Sequence, residues 1–165
     1  MRIRILIFLL TCCFVGSVTA NDASNSFKLY LVRHAEKQLD GSSEAVLTEA
    51  GKKRSQQLAN WFADKDIQDI WSSDYIRTRD TAKPSVSQLG LDLNIYNAGE
   101  LAELAEKLLE NQRTALIVGH SNTTPELARL LCHCFIAAMD DSEYDRLIVI
   151  SVHDGKTRVK TLQQK

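Results

Sequence analysis

Thr114-Ala115-Leu116-Ile117-Val118-Gly119-His120 is the stretch that decides the fold. Thr114 to Val118 reads as a strand with no polar alternation. A strand buried on both faces belongs inside a parallel sheet covered by helices. Upstream, Phe27 to Val32, Ile67 to Trp71 and Leu93 to Tyr96 read as further short strands. Helical patterns separate them. The first is capped by Thr48 and runs to about Asp64, with Leu58, Trp61 and Phe62 on its apolar face. The second, Tyr75 to Leu89, is expected to be disturbed at Pro84, which lacks the N–H a helix uses, and to end at Gly90. The third runs from Gly99 to Asn111, with Leu101, Leu104 and Leu108 at helical spacing. Downstream, Thr124-Pro125 opens a helix that passes Leu127, Leu130 and Leu131 and reaches about Ala138. Leu147 to Val152, the turn signal Asp154-Gly155 and Thr157 to Leu162 form a closing hairpin with an edge strand. The alternation predicts one α/β domain, a three-layer α/β/α sandwich with a mostly parallel sheet. The chain's 165 residues suit one such domain, here residues 27–165.

The N-terminus departs from this pattern. Arg2 and Arg4 precede an apolar run from Ile5 to Val15, and Val18 and Ala20 occupy the small-residue positions before a cut. This reads as a secretory signal peptide over residues 1–20, cleaved after Ala20 and followed by a flexible leader over 21–26. The run is short for a membrane anchor, which needs about 20 apolar residues, so no stable membrane insertion is expected after cleavage. Retention as a tether and lipidation at Cys12 or Cys13 are the alternatives. Export to the periplasm or medium follows from the cleaved reading.

Removing residues 1–20 leaves 18 Lys+Arg against 21 Asp+Glu, a net charge of −3. That balance argues against nucleic acid as a partner. A small anionic substrate would then need a local basic cluster. Cys132 and Cys134 flank His133 within the expected last helix. Residues two apart on a helix point to different faces, so a disulfide between them would require the helix to break. They are read as part of a buried apolar helix face. One short stretch cannot place Cys132, His133 and Cys134 tetrahedrally around a metal, and no metal or other cofactor is expected.

Three strand ends carry reactive groups. The first strand runs into Arg33-His34, the second ends at Ser72-Ser73 with Arg77 about one helical turn later, and the fourth ends at Gly119-His120. The carboxyl ends of parallel strands share one rim, and ligands bind outside it. Two arginines facing one crevice repel unless an anion bridges them, and guanidinium forks match phosphate oxygens. Their charge disfavours the cationic form of a histidine between them, which keeps a ring nitrogen free to attack. A second histidine can stabilise charge in the transition state.

Leu31-Val32-Arg33-His34-Ala35-Glu36 resembles the Arg-His-Gly signature of the histidine phosphatase superfamily, which also includes cofactor-dependent phosphoglycerate mutases. The run from Ser72 through Arg77 to Thr81-Ala82 resembles that family's second block, and Val118-Gly119-His120-Ser121-Asn122 resembles its third. Leu47-Thr48-Glu49-Ala50-Gly51 resembles its helix entry. The resemblance implies a phosphoglycerate mutase-like fold, His34 as a phosphate-accepting nucleophile, Arg33 and Arg77 as phosphate clamps, and His120 as the second histidine. Ala35 stands where the family most often has glycine. The family's acidic proton donor, placed between the second and third blocks, corresponds to Glu100 or Glu103, and Glu100 is preferred because it starts its helix nearer the rim.

The expected activity is metal-independent phosphomonoester hydrolysis. The family's mutases are larger and carry insertions that close over a sugar phosphate, whereas this chain has short connections. The expected substrate is an extracytoplasmic phosphorylated small molecule or sugar. The alternatives are a protein phosphohistidine phosphatase and a phosphate-ester binding module without turnover.

Overall fold

The computed structural model describes residues 26–164; the expected signal peptide and residues 21–25 of the expected leader lie outside them. Ser26, expected in the leader, is instead the first residue of β1 (Ser26–Arg33) and pairs with His153 of β5 (Arg146–His153). The other strands are β2 (Asp69–Ser73), β3 (Leu93–Tyr96), β4 (Ala115–Gly119) and β6 (Lys156–Gln163). They form one six-stranded sheet in the order β3-β2-β4-β1-β5-β6. The four strands β3, β2, β4 and β1 are mutually parallel, while β5 and β6 complete the sheet antiparallel.

β4 sits between β1 and β2, with Ile117 in register with Leu31 on one side and Trp71 on the other. Every residue of β4 is buried, as its unbroken apolar run requires. Side chains alternate across β1: Leu29 and Leu31 face one layer, Tyr30 and Val32 the other. Leu104, Ala105 and Leu108 of α3 (Leu101–Asn111) and Leu127, Ala128 and Leu131 of α4 (Thr123–Cys132) pack on the first face. Leu58 and Phe62 of α1 (Glu49–Phe62) and Ala82 of α2 (Ile76–Leu89) pack on the second. The result is the three-layer α/β/α sandwich. Among the described residues no helix is long and apolar enough to cross a membrane.

Three local expectations are corrected. α2 runs unbroken through Pro84, because one absent N–H at a single position is carried by the bonds of the turns on either side. Trp61 is 38 % exposed rather than in the core; its ring lies edge-on to Tyr30 and under the Lys65 ammonium. α4 stops at Cys132, six residues before the expected end. His133 takes a left-handed φ of 51° at the C-cap, which brings the Cα atoms of Cys132 and Cys134 to 5.2 Å, and a disulfide closes across it. The pair is therefore not a buried apolar face but a bridge at the start of the segment that leads to β5.

Candidate active site

The rim at the carboxyl ends of β1, β2 and β4 opens into a cleft of about 590 Å³. Arg33, His34, Arg77 and His120 all line it, so the four groups placed at strand ends converge. Lys37, Tyr75, Ser121, Asn122, Asp141 and Tyr144 complete most of its wall.

His34 follows β1 directly, and its backbone N–H donates to the Gly119 carbonyl at 2.9 Å, which ties the end of β1 to the end of β4. The ring is buried. Its Nδ1 lies 2.8 Å from the Ala35 carbonyl. A carbonyl only accepts, so Nδ1 carries the proton and Nε2 keeps its lone pair. Ala35 is itself pinned, its N–H donating to Thr81 Oγ1 at 2.9 Å. Burial pushes the His34 pKa down to about 3; the Ala35 hydrogen bond opposes that, and Arg33, His120 and Arg77 add to it.

His120 follows Gly119. A Cβ at position 119 would come within 2.9 Å of Tyr96 Oη and 3.0 Å of the Thr123 and Thr124 hydroxyls, so only glycine allows α4 to pack this close to the strand end. The His120 ring is 5.5 Å from that of His34, centroid to centroid. Its Nδ1 faces Arg77 Nη2 at 3.4 Å, and its Nε2 lies 2.8 Å from Ser73 Oγ. A guanidinium only donates, so Nδ1 accepts and Nε2–H donates to Ser73. The Ser73 hydroxyl in turn donates to Thr78 Oγ1 at 3.1 Å. Burial, then Arg77 and Arg33, push the His120 pKa down to about 4.

The two guanidinium groups are gripped from outside the sheet. Arg33 Nη1 donates to the carbonyls of Asp140, Asp141 and Glu143 at 3.2, 2.7 and 3.1 Å, and its plane lies 4.1 Å from the centre of the Tyr144 ring. Arg77 Nη1 donates to the Ser43 carbonyl at 2.6 Å and its guanidinium lies over Tyr75. The Nε–H of each is buried with no acceptor among the described residues, so each retains donor capacity.

Glu100 and Glu103 do not join this group. The chain turns at Glu100 (φ −121°, ψ 48°) to enter α3, and both carboxyl groups line a separate depression with Trp71, Tyr96 and Lys107. Gly99, one residue earlier, is the last of that segment to line the cleft. Among the described residues that line the cleft, Asp141 carries the one carboxyl group. Thr48 caps α1 by accepting from the Gly51 N–H at 3.1 Å, and Gly51 packs against the Glu36 backbone, where a Cβ would lie 2.2 Å from the carbonyl oxygen. Glu36 pairs with Arg54 of α1, and Arg79 with Asp74.

Sequence reasoning missed Ser43, Asp141 and Tyr144. They sit in irregular segments that match no block, and their roles depend on contacts more than thirty and a hundred residues away. Tyr75, Thr78 and Thr81 lay inside the second block without a stated role; their closeness to Arg77 on one helix was the available signal.

A family model described as Histidine phosphatase superfamily (branch 1) matches residues 29–113, just over half of the chain. A curated relative from Escherichia coli, named "Probable phosphoglycerate mutase GpmB", is 35 % identical over 91 residues. That match covers 52 % of this chain and 41 % of the relative, so the chain spans less than half the length of that protein. Among solved structures, a mycobacterial glucosyl-3-phosphoglycerate phosphatase superposes with a TM-score of 0.71 at 14 % identity, covering 85 % of this chain and all of that one. The protein histidine phosphatase SixA complexed with tungstate gives 0.69 at 18 %, covering 84 % and 97 %. The alpha-ribazole phosphatase from Shigella flexneri gives 0.68 at 16 %, covering 83 % and 96 %. These likenesses carry the fold.

Proposed function

The chain belongs to the histidine phosphatase superfamily, branch 1, and from that premise we propose that it hydrolyses phosphomonoesters through a phosphohistidine on His34. The observation that carries this is the His34 ring itself. Its Nδ1 proton is committed to the Ala35 carbonyl, so the lone pair on Nε2 is free in a cleft lined by two arginines and a second histidine. The depressed pKa keeps that lone pair available through the neutral and mildly acidic range.

The phosphoryl group docks between Arg33 and Arg77, whose unpaired donors suit its oxygens. Nε2 of His34 attacks phosphorus in line with the ester oxygen. Charge spreads over the equatorial oxygens, and fixed donors already aimed at them lower the barrier. A bound dianion also favours protonation of His120 at Nδ1, beside Arg77, and adds a donor. Water then attacks the phosphohistidine and phosphate leaves. The protein's own donors neutralise the charge, in keeping with a reaction that needs no metal.

Ser121, Asn122, Lys37 and Asp141 give the cleft polar lining groups, which supports a small hydroxylated substrate such as a sugar phosphate. The signal-peptide pattern over residues 1–20 supports an extracytoplasmic site of action, with small phosphorylated molecules rather than nucleic acid as partners. Mass measurement of the protein recovered from cells tests cleavage: loss of residues 1–20 is expected and excludes the tether, and an intact N-terminus overturns the cleaved reading.

The deciding assay is p-nitrophenyl phosphate hydrolysis by the purified protein, with and without a metal chelator, beside His34→Ala. Activity is expected to survive the chelator and to vanish in the variant. Equal activity in both proteins would remove His34 as nucleophile. Phosphate binding without turnover of several esters would replace the enzyme by a binding module.

A further inference from the structure

We propose that Asp141 is the proton donor to the leaving group, an inference that rests on the phosphatase reading and completes it. Ester cleavage at an alcohol with a high pKa needs a proton delivered to the departing oxygen, and neither Glu100 nor Glu103 lines the cleft. Asp141 does. Its side chain is 90 % exposed to the cleft mouth, yet it is not free to wander. Ser121 Oγ donates to Oδ1 at 2.7 Å, from the turn that follows His120. Its backbone carbonyl accepts from Arg33 Nη1 at 2.7 Å, and Oδ1 stands 3.7 Å from Arg33 Nη2. The carboxyl group is therefore fixed beside the guanidinium that clamps the phosphoryl group, from a segment lying on the solvent side of it.

The other carboxyl groups of that segment are engaged elsewhere: Asp140 accepts from Ser142, and Glu143 pairs with Arg146. Tyr75 and Tyr144 serve as platforms under Arg77 and Arg33. The Lys37 ammonium donates to the Gln38 carbonyl. An anion drawn to Arg33 arrives beside the Asp141 carboxyl group.

The step balances without a co-reactant. As the His34 Nε2–P bond forms, the P–O bond to the alcohol breaks, its electron pair goes to oxygen, and that oxygen takes the proton of the Asp141 carboxyl group. The alcohol departs and Asp141 is left as carboxylate. In the second half the carboxylate takes a proton from water as its oxygen bonds to phosphorus. The P–N bond breaks, its pair returns to Nε2, phosphate leaves and Asp141 is again the acid.

The test compares two esters on the wild type and on Asp141→Asn: p-nitrophenyl phosphate, whose phenolate leaves unaided, and glycerol phosphate, whose alkoxide does not. General acid catalysis contributes typically ~10²–10⁴-fold. The variant is expected to lose about 100-fold or more in kcat on glycerol phosphate, and at least tenfold less than that on p-nitrophenyl phosphate. Equal losses on both esters would overturn the role. So would a fall in KM with kcat retained, the signature of a carboxylate that merely competes with phosphate for Arg33. Residual p-nitrophenyl phosphate turnover by the variant shows that it is folded. A wild type that turns over neither ester overturns the phosphatase reading and this inference with it, and is thereby distinct from a failure of Asp141 alone.

Discussion

Arg33 and Arg77 line the same cleft as His34 but are held by different parts of the chain. Arg33 leaves the end of a central strand and is gripped by three carbonyls from 140–143 together with the Tyr144 ring. Arg77 stands on the first turn of α2, donates to the single carbonyl of Ser43 and touches His120. The first arginine thus organises a whole connection around itself, while the second holds one loop carbonyl and the ring of His120. Removing the first should damage fold and chemistry together; removing the second should damage chemistry alone.

The largest effect expected is on activity. Arg33→Ala and Arg77→Ala should each lower kcat/KM for p-nitrophenyl phosphate by about 10²–10³, the scale for loss of one preorganised donor to a developing anion. Thermal unfolding separates them. Arg33→Ala takes the donor from the Asp141 and Glu143 carbonyls and the partner from the Tyr144 ring, while the Asp140 carbonyl keeps the Glu143 N–H, so its Tm should fall by several degrees while that of Arg77→Ala stays within about two. Equal Tm shifts would break the comparison.

Next comes Ser73→Ala. It removes the acceptor that orients Nε2–H of His120 and should cost about tenfold in kcat with little change in KM. An unchanged kcat would mean that Arg77 alone positions the ring.

The pH dependence of stability follows from the histidines. Their folded pKa values, about 3 for His34 and about 4 for His120, lie below the ordinary 6.5. Between those limits the unfolded chain binds more protons than the folded one, so stability is present above about pH 6.5 and falls as pH drops toward 4. Phosphate or vanadate, which favours the protonated forms, should flatten that fall in a Tm–pH series. A ligand-free protein whose Tm is flat from pH 7 to 4.5 would contradict the neutral-histidine site.

The smallest effect is expected at the disulfide. The Cys132–Cys134 loop is short, so its closure contributes only about 1–2 kcal/mol on a loop-entropy argument. Reduction should lower Tm slightly and raise KM by about twofold, because the segment it opens leads to the Arg33 grip. A larger loss in kcat than in KM would show that the segment does more than hold Arg33, in line with the role proposed for Asp141.

The strand-borne half of the site was legible in the sequence for a definite reason. Parallel pairing of β1, β4 and β2 in register leaves Arg33, Ser73 and Gly119 at the same edge, so the residues on and just after those strand ends share a rim whatever the loops do. The helix that ends at Cys132 was overextended because the apolar spacing continues at Ile136, and a left-handed turn at a histidine carries no strong local signal. Glu100 is a similarly local case: it stands one residue beyond Gly99, which lines the cleft, but the chain turns there into α3 and Glu100 lines the neighbouring depression instead.

By itself the sequence determined the layered α/β/α domain, the convergence of Arg33, His34, Arg77 and His120, and the glycine that ends β4, because burial patterns and strand ends are local properties that parallel pairing converts into shared geometry. Only the tertiary structure decided which partners the histidine nitrogens meet, which carbonyls hold each arginine and which carboxyl group stands in the cleft. The grip on Arg33 joins atoms 107 residues apart, at Asp140, and the Ala35 carbonyl that meets His34 Nδ1 belongs to a residue pinned by Thr81; no periodicity in the chain encodes either.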